Sequence, residues 1–423
     1  MYVIGPDERS FLEIDDQSDF PIQNLPYGVF STNDRQTARV GVAIGDKILD
    51  LSTAEEMGYF SSILDIPVFA QDSLNIFMSL GREVWTAVRK TIFELLAEGS
   101  ELATDQEKQD QLLVNREDAT LHLPVRVSEF TDFYSSYYHA FNVGSLIRGP
   151  ENALMPNWKH LPVAYHGRAS SVILSGENII RPRGQIKPAD SDTPVFSPTQ
   201  RLDFELEMGF FVGKGNDMGS PISTGDAASH IFGMVLVNDW SARDIQVWEY
   251  KPLGPFLAKN FATSISPWIV TLDALEPFRT KGMKQDPEPM DYLQIDQDSA
   301  FDIDLEVLLQ SEKMETPKLV SKSNTTNLYW NIFQQLAHHT ITGCNTRTGD
   351  LLASGTISGE DMDARGCLLE LTELGKSPVE ISSSESRVFL EDGDTVTLRG
   401  YAQADGYRIG FGEVTSKILP ALQ

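Results

Sequence analysis

Four carboxylates are the first candidates for chemistry in this chain. Asp132, Glu205, Glu207 and Asp239 each stand at the mouth of a strand or helix read from the sequence. A donor set made only of oxygen suits a hard cation such as Ca²⁺ or Mg²⁺, and no Cys or His cluster carries zinc spacing. Glu205 and Glu207 belong to the segment Arg201-Leu-Asp-Phe-Glu-Leu-Glu-Met-Gly-Phe-Phe-Val212, which alternates strictly. In an extended chain Asp203, Glu205 and Glu207 share one face, and Leu202, Phe204, Leu206 and Met208 share the other. Two acids about 7 Å apart on such a face have two readings. Either the face is wet, or it points into an enclosed place where a metal keeps both acids ionised. The apolar Gly209–Val212 continuation, typical of a strand entering a core, favours the enclosed reading.

A proton acceptor is the next requirement. Among seven histidines, His139 stands out because Asp132, Ser135 and Ser136 lie just before it, on a segment that Asp132 could cap as a helix. His166, in Tyr165-His-Gly-Arg168, is its rival. The plain alternative for any of them is a surface or hydrogen-bonded core histidine. No nucleophile elbow, P-loop or dinucleotide fingerprint occurs, so water activated by a base is favoured over a covalent serine or cysteine. Asp239, Arg243, Gln246 and Tyr250 recur at intervals of four, three and four, the spacing of one helical face. The competing reading is an Asp239 N-cap paired with Arg243.

These groups must be positioned by a mainly β chain with a few helices, an α+β class. Tyr27–Thr32, Ala38–Ile44 and Lys47–Leu51 read as strands joined at Asn33-Asp34 and Gly45-Asp46, the pattern of a small barrel or meander. Ser73 to about Gly99 reads as helix broken near Gly81, with Trp85, Val88, Ile92 and Leu95 on its apolar face. Glu98 to Glu117 has the composition of a linker. The predicted organisation is therefore a loose extension over 1–17, a small β-barrel domain over 18–120, and a larger domain over 121–423. In the larger domain Lys187–Thr199 reads as a surface loop, Ile231–Asn238 as a buried strand, Asn327–His339 as an amphipathic helix, and Leu368–Leu371 as strand.

Bulk properties narrow the function classes. The net charge is −27 over 423 residues, which argues against nucleic acid or anionic lipid as a partner. Only two cysteines, Cys344 and Cys367, are present, which suggests a reducing compartment. The N-terminus lacks the pattern of a secretory signal, and no apolar run reaches the roughly 18 residues of a membrane span. A soluble, cytoplasmic protein is the expectation.

Several long blocks go further. Asp132-Phe-Tyr-Ser-Ser, Glu151-Asn-Ala-Leu-Met-Pro-Asn-Trp158, Tyr165-His-Gly-Arg-Ala-Ser-Ser171, Asn238-Asp-Trp-Ser-Ala-Arg-Asp-Ile-Gln246, Ala353-Ser-Gly-Thr-Ile-Ser-Gly359 and Asp405-Gly-Tyr-Arg-Ile-Gly-Phe-Gly412 occur in order. On these the chain closely resembles the fumarylacetoacetate hydrolase family, from Ser18 nearly to the C-terminus. Residues 1–17 have no counterpart in that resemblance, Tyr137-Tyr138 replace more polar side chains before His139, and Gly359–Gly366 diverges.

The resemblance implies a small SH3-like N-terminal barrel followed by a larger mixed β-sandwich roll, assembled as a homodimer. It implies hydrolysis of a carbon–carbon bond in a dianionic 1,3-diketo acid, the last step of tyrosine and phenylalanine breakdown. Asp132, Glu205, Glu207 and Asp239 would hold Ca²⁺, with Asp239, Lys259 and Thr263 at a neighbouring Mg²⁺ or monovalent-ion site. His139 would be the base and Glu370 its orienting partner. Arg243, Gln246 and Lys259 would face the developing oxyanion, and Tyr134, Arg148, Tyr165, Gln246, Tyr250 and Thr356 would contact substrate. The alternatives are another metal-dependent oxo-acid reaction on the same scaffold (acylpyruvate hydrolysis, decarboxylation or isomerisation) or a non-catalytic Ca²⁺-binding scaffold.

Overall fold

Tyr27–Thr32, Arg39–Ile44 and Lys47–Asp50 are strands in the computed structural model, which describes residues 1–295 and 298–423. They pair antiparallel with one another and with Leu113–Asn115 and Ala119–His122, making a five-stranded N-terminal sheet. The helical stretch that follows divides as its glycine dictates. Asn75–Ser79 and Arg82–Leu96 flank Gly81, whose φ of 87° is unfavourable for a residue with a Cβ. Trp85, Val88, Ile92 and Leu95 are buried, the first three in one core with the sheet.

Two readings of this region are corrected. The stretch with linker composition is ordered: a 3₁₀ turn over Glu101–Thr104 and a helix over Gln106–Leu112 are capped by Ser100 and Asp105 and anchored by buried Leu102 and Leu112. Its charged residues form the outer face of these turns, which composition alone cannot distinguish from a solvated tether. Residues 1–17 are not loose either. Ile4 is buried, the Tyr2 N–H donates to Asp273 Oδ2 at 2.8 Å, and Gln23 Nε2 donates to the carbonyls of Gly5 and Glu8 at 3.1 and 3.0 Å.

The larger region is built on an eight-stranded mixed sheet. Its main path runs Ala164–His166, Phe130–Phe133, Leu351–Ala353, Leu206–Val212, Ile231–Asp239, Thr263–Ile265 and Val172–Leu174, with Val270–Thr271 pairing off it. The strands Leu206–Val212 and Ile231–Asp239 are buried at every position, as the continuous apolar run in the second predicted. A second sheet, ordered Lys318–Asn324, Asp304–Gln310, Thr395–Gln403, Arg408–Leu419 and Ile179–Ile180, shares its core with the first. Strands therefore dominate, in a small N-terminal unit and a larger mixed roll.

Register places chemistry at one end of the eight-stranded sheet. Asp132 lies opposite Tyr165 on one side and Ala353 on the other, Leu206 opposite Asn238, and Asp239 opposite Thr263. Local expectations shift by a few residues around this frame. The helix carrying His139 begins at Tyr137 with Ser136 as N-cap, while Asp132 sits in a strand and caps nothing. Part of the predicted Lys187–Thr199 loop is the hairpin strand Val195–Pro198, paired with Arg183–Ile186. The late amphipathic helix starts at Ile332, where Asn331 and Gln334 form a capping box, and Leu368–Leu371 is a helical turn instead of a strand.

Candidate active site

The acidic alternation does not continue through one strand. Leu202–Asp203 pairs with Ser241–Ala242, the chain then breaks at Phe204-Glu205, and a separate strand runs from Leu206. Asn238 Oδ1 accepts the Glu205 N–H at 3.0 Å and ties that break to the neighbouring strand. Asp203, Glu205 and Glu207 are all buried, so the wet-face reading is excluded. Asp203 also leaves the other two acids and turns to Arg243, 2.9 Å from its Nε.

Asp132, Glu205, Glu207 and Asp239 converge: one oxygen from each lies within 4.8 Å of all the others. The nearby buried cations are Arg243 and Lys259. Arg243 Nη1 donates to Glu205 Oε1 at 2.7 Å, and Lys259 donates to Glu205 Oε2 and, at 2.7 Å, to Asp239 Oδ2. Tyr165 and Thr263 hydroxyls donate to Asp239 at 2.9 and 2.7 Å. Asp239 is thus the end of a strand, bound to Lys259, Tyr165 and Thr263; it is neither an N-cap nor a partner of Arg243. The Arg243–Glu249 helix begins only at Arg243, which is why the predicted helical stripe does not include Asp239.

The electrostatics divide these acids. Burial alone would raise Glu205, but Lys259, Arg243 and His139 outweigh it and hold its carboxyl below the ordinary range. Burial and then the charge of Asp239 push Asp132 well up; burial and then Asp132 do the same to Glu207. Lys259 stays protonated because Asp239 and Glu205 outweigh the burial that would lower it. In the ion-free chain this ammonium is the counter-charge to both acids. Burial, then Asp239, also raises the Tyr165 phenol.

Asp132 Oδ1 and Glu207 Oε1 are buried without any hydrogen-bond partner. Buried carboxylate oxygens of this kind are costly unless a cation meets them. Glu207 is held from behind: Gly355 N–H donates to its Oε2 at 3.2 Å. Gly355 has φ of 76°, and a Cβ there would lie 2.2 Å from the Phe133 carbonyl oxygen, so only glycine allows this approach. The donor chemistry and the orphaned oxygens fit a hard divalent ion.

Beside this group stands a second, completed one. His139 Nδ1 lies 2.5 Å from Glu370 Oε2. Asn142 Nδ2 donates to Glu370 Oε1 at 2.9 Å, Ser358 Oγ to Oε2 at 2.7 Å, and the Cys367 thiol to Oε2 at 3.2 Å. Burial would raise Glu370, but His139 and these donors outweigh it and lower it; burial and then Glu370 push the Cys367 thiol up. Asn142, Ser358 and Cys367 were absent from the residues singled out by sequence. Asn142 was within reach, three residues beyond His139 on the same helical face.

The remaining candidates separate into near and far. The Tyr134 ring stands edge-on to His139 with centroids 5.3 Å apart. Burial, then Glu370, raises its phenol. Arg148 spends Nε and Nη2 on the Asn152 and Ala153 carbonyls at 3.0 and 2.5 Å, beside a cavity of about 230 Å³ that Tyr134, Trp158 and Val163 also line. Gln246 Oε1 accepts from Arg243 Nη1 at 3.2 Å. Thr356 Oγ1 and Arg243 Nη2 are buried without partners. Tyr250, just past the Arg243 helix, is exposed and stacks against Lys251. His166 is exposed; its ring meets Thr131 Oγ1 at 3.4 Å and stands edge-on to His339 with centroids 6.1 Å apart, and it is not among the groups gathered with the acids. Ser135 and Ser136 do not line the site; Ser136 Oγ donates to the Ser358 carbonyl at 3.1 Å and Ser135 Oγ accepts from Gln335 at 3.0 Å.

Residues 129–419 match the family model described as fumarylacetoacetate (FAA) hydrolase C-terminal, and residues 23–124 match fumarylacetoacetase N-terminal. The chain is 52% identical to fumarylacetoacetase of Rattus norvegicus and 53% identical to that of Bos taurus, each over 416 residues covering 98% of this chain and 99% of the relative. That coverage leaves too few residues outside for the whole of 1–17 to lack a counterpart, which corrects the sequence reading. Among solved structures, a fumarylacetoacetate hydrolase from Exiguobacterium antarcticum is similar in fold, with TM-score 0.54, 17% identity, and coverage of 94% of this chain and 99% of that one.

Proposed function

This chain belongs to the fumarylacetoacetase family, and from that premise we propose that it hydrolyses the carbon–carbon bond of 4-fumarylacetoacetate to fumarate and acetoacetate, the last step of tyrosine and phenylalanine breakdown. The observation that carries this reading is the pairing of two different buried groups, four converging carboxylates next to a histidine locked to a carboxylate.

Asp132, Glu205, Glu207 and Asp239 would hold Ca²⁺ or Mg²⁺. Such an ion supplies Lewis-acid polarisation of a substrate carbonyl and charge stabilisation for an enolate leaving group. A second ion near Asp239 and Thr263 remains part of the reading, with Lys259 as its charged neighbour. The chain's own residues do the rest. Glu370 fixes the His139 tautomer by accepting from Nδ1, which leaves Nε2 free to take the proton of the attacking water. Arg243, Gln246 and Lys259 set positive charge and hydrogen-bond donors where an oxyanion develops. Tyr134, Arg148, Tyr165, Tyr250 and Thr356 contact the substrate, with Arg148 answering one of its carboxylates in a chain that is otherwise strongly acidic.

We propose a homodimer for the same chain. Exposed Phe196, Val247, Trp248, Leu253, Phe256 and Leu257 give the region of the Arg243 helix an apolar outer face suited to a second copy. Among the described residues no helix is long and apolar enough to cross a membrane, and we place the protein in the cytoplasm. The function is tested by following the absorbance of fumarylacetoacetate on addition of purified protein, with and without chelator. Loss of absorbance that chelator abolishes supports the reading; no loss in calcium- or magnesium-supplemented protein removes it.

A further inference from the structure

Asp203 takes no part in the mechanism above, yet it touches both of its halves. It is fully buried. Oδ2 accepts Arg243 Nε–H at 2.9 Å and the Leu369 N–H at 3.0 Å; Oδ1 accepts the Leu368 N–H at 2.7 Å and the Phe204 N–H at 2.9 Å. Leu368 and Leu369 open the turn Leu368–Leu371, which includes Glu370. That turn has no cap from its own N-cap residue, Cys367, so the freed amides at its start are met by a carboxylate from another element. The backbone repeats the link. Asp203 pairs with Ser241, and Arg243 N–H donates to the Arg201 carbonyl at 2.9 Å. A single side chain therefore fixes the guanidinium that pairs with Glu205 and the turn that carries the partner of His139.

We propose that Asp203 is a positioning residue that sets the His139–Glu370 base at a fixed distance from the Arg243–Glu205 side of the ion group. This rests on the function proposed above. Water activated at His139 must meet a carbonyl held on the other side, so the spacing of the two halves governs kcat more than substrate binding. An apolar residue of similar size would fill the core beside Leu202 and Phe204, both fully buried, but would leave the Leu368 and Leu369 amides and the Arg243 Nε–H without this acceptor.

Asp203→Asn keeps the volume and replaces one acceptor by a donor: in place of Oδ1 it would face the Leu368 N–H, and in place of Oδ2 both the Leu369 N–H and the Arg243 Nε–H, so the turn loses a contact in either orientation. The expected result is a loss in kcat of about 10–100-fold, the range for partners one step removed from a metal site, with KM within about threefold and ion content unchanged. In a Glu370→Gln background the same substitution is expected to cost less than about threefold, because the two act through one turn. Equal losses in both backgrounds, a loss confined to KM, or wild-type kcat would overturn the proposal. Should D203N not fold, hydrogen exchange decides. Arg243→Lys removes the other side of the link and is expected to speed exchange across 366–372, and unchanged exchange there overturns the proposal. That readout needs no turnover, so it fails or succeeds independently of the proposed activity.

Discussion

The two halves of this site are both buried and both acidic, yet they are finished to different degrees. Around Glu370 every carboxylate oxygen has a donor: His139, Asn142, Ser358 and Cys367 all converge on it. A few residues away, Asp132 and Glu207 each keep a buried oxygen with no partner. Five buried carboxyl groups there (Asp132, Asp203, Glu205, Glu207 and Asp239) face two buried cations, Arg243 and Lys259; all five ionised would leave an excess of three negative charges, which the ion-free chain relieves by holding protons on Asp132 and Glu207. The protein completes its base by itself and leaves its electrophilic side for something divalent to complete. Charge sign alone does not distinguish the halves; satisfaction of hydrogen-bonding groups does.

The contrast can be broken at several points. Removing the base with His139→Ala is expected to lower kcat by about 10²–10⁴-fold while fold and ion content persist; near-normal turnover would remove His139 from its role. On the other side, Asp239→Asn or Glu205→Gln is expected to weaken ion affinity and activity together by at least about tenfold, checked by calorimetry alongside initial rates. Unchanged affinity would separate the acids from any ion.

Acidity sharpens the same comparison, because the raised Asp132 and Glu207 of one half and the lowered Glu370 of the other respond to pH in opposite senses. Asp132 and Glu207 are raised, so in the ion-free folded chain they keep protons that the unfolded chain has released, and stability falls as pH rises from the ordinary carboxylate range through their raised values. A divalent ion competes with those protons, so the rise in Tm on adding Ca²⁺ is expected to grow as pH rises from the ordinary carboxylate range through their raised values. A shift independent of pH would contradict the assignment. Glu370 is lowered, and its contribution is present above the ordinary carboxylate range and lost as pH falls through its native value. The smallest effect is expected from Ser358→Ala, which removes one of several donors to Glu370. A charged-group hydrogen bond is worth about 1.5–3 kcal/mol at most sites, and with the remaining donors in place a fall in kcat of about tenfold is expected.

How far the sequence reaches follows from the same physics. Local patterns located the strand at Tyr27–Thr32, a strand over Ile231–Asn238 that the structure extends to Asp239, and the break at Gly81, because alternation, apolar runs and glycine act over a few residues. The fate of Asp203 was not legible. Three acids at alternate positions look equivalent until the break at Phe204-Glu205 turns one of them toward Arg243 and Leu368. Glu98–Glu117 misled for the related reason that a charged outer face and a solvated tether have the same composition. Asp132 and His139 looked like members of one helix because they are close in sequence; a strand end and a helix start share that spacing. That Asp132 and Asp239 approach Glu205 and Glu207 depends on strand register across the eight-stranded sheet, which no short window contains.

Four carboxylates drawn from three separate stretches of the chain are, on this account, completed by one divalent ion. Calorimetric titration of chelator-treated protein with Ca²⁺ tests it directly, comparing wild type with Glu207→Gln and Asp132→Asn. Saturable binding to the wild type that is lost in both variants, together with restored fumarylacetoacetate cleavage, is the predicted result. Wild-type heats in either variant, or full turnover with no ion bound, would contradict it.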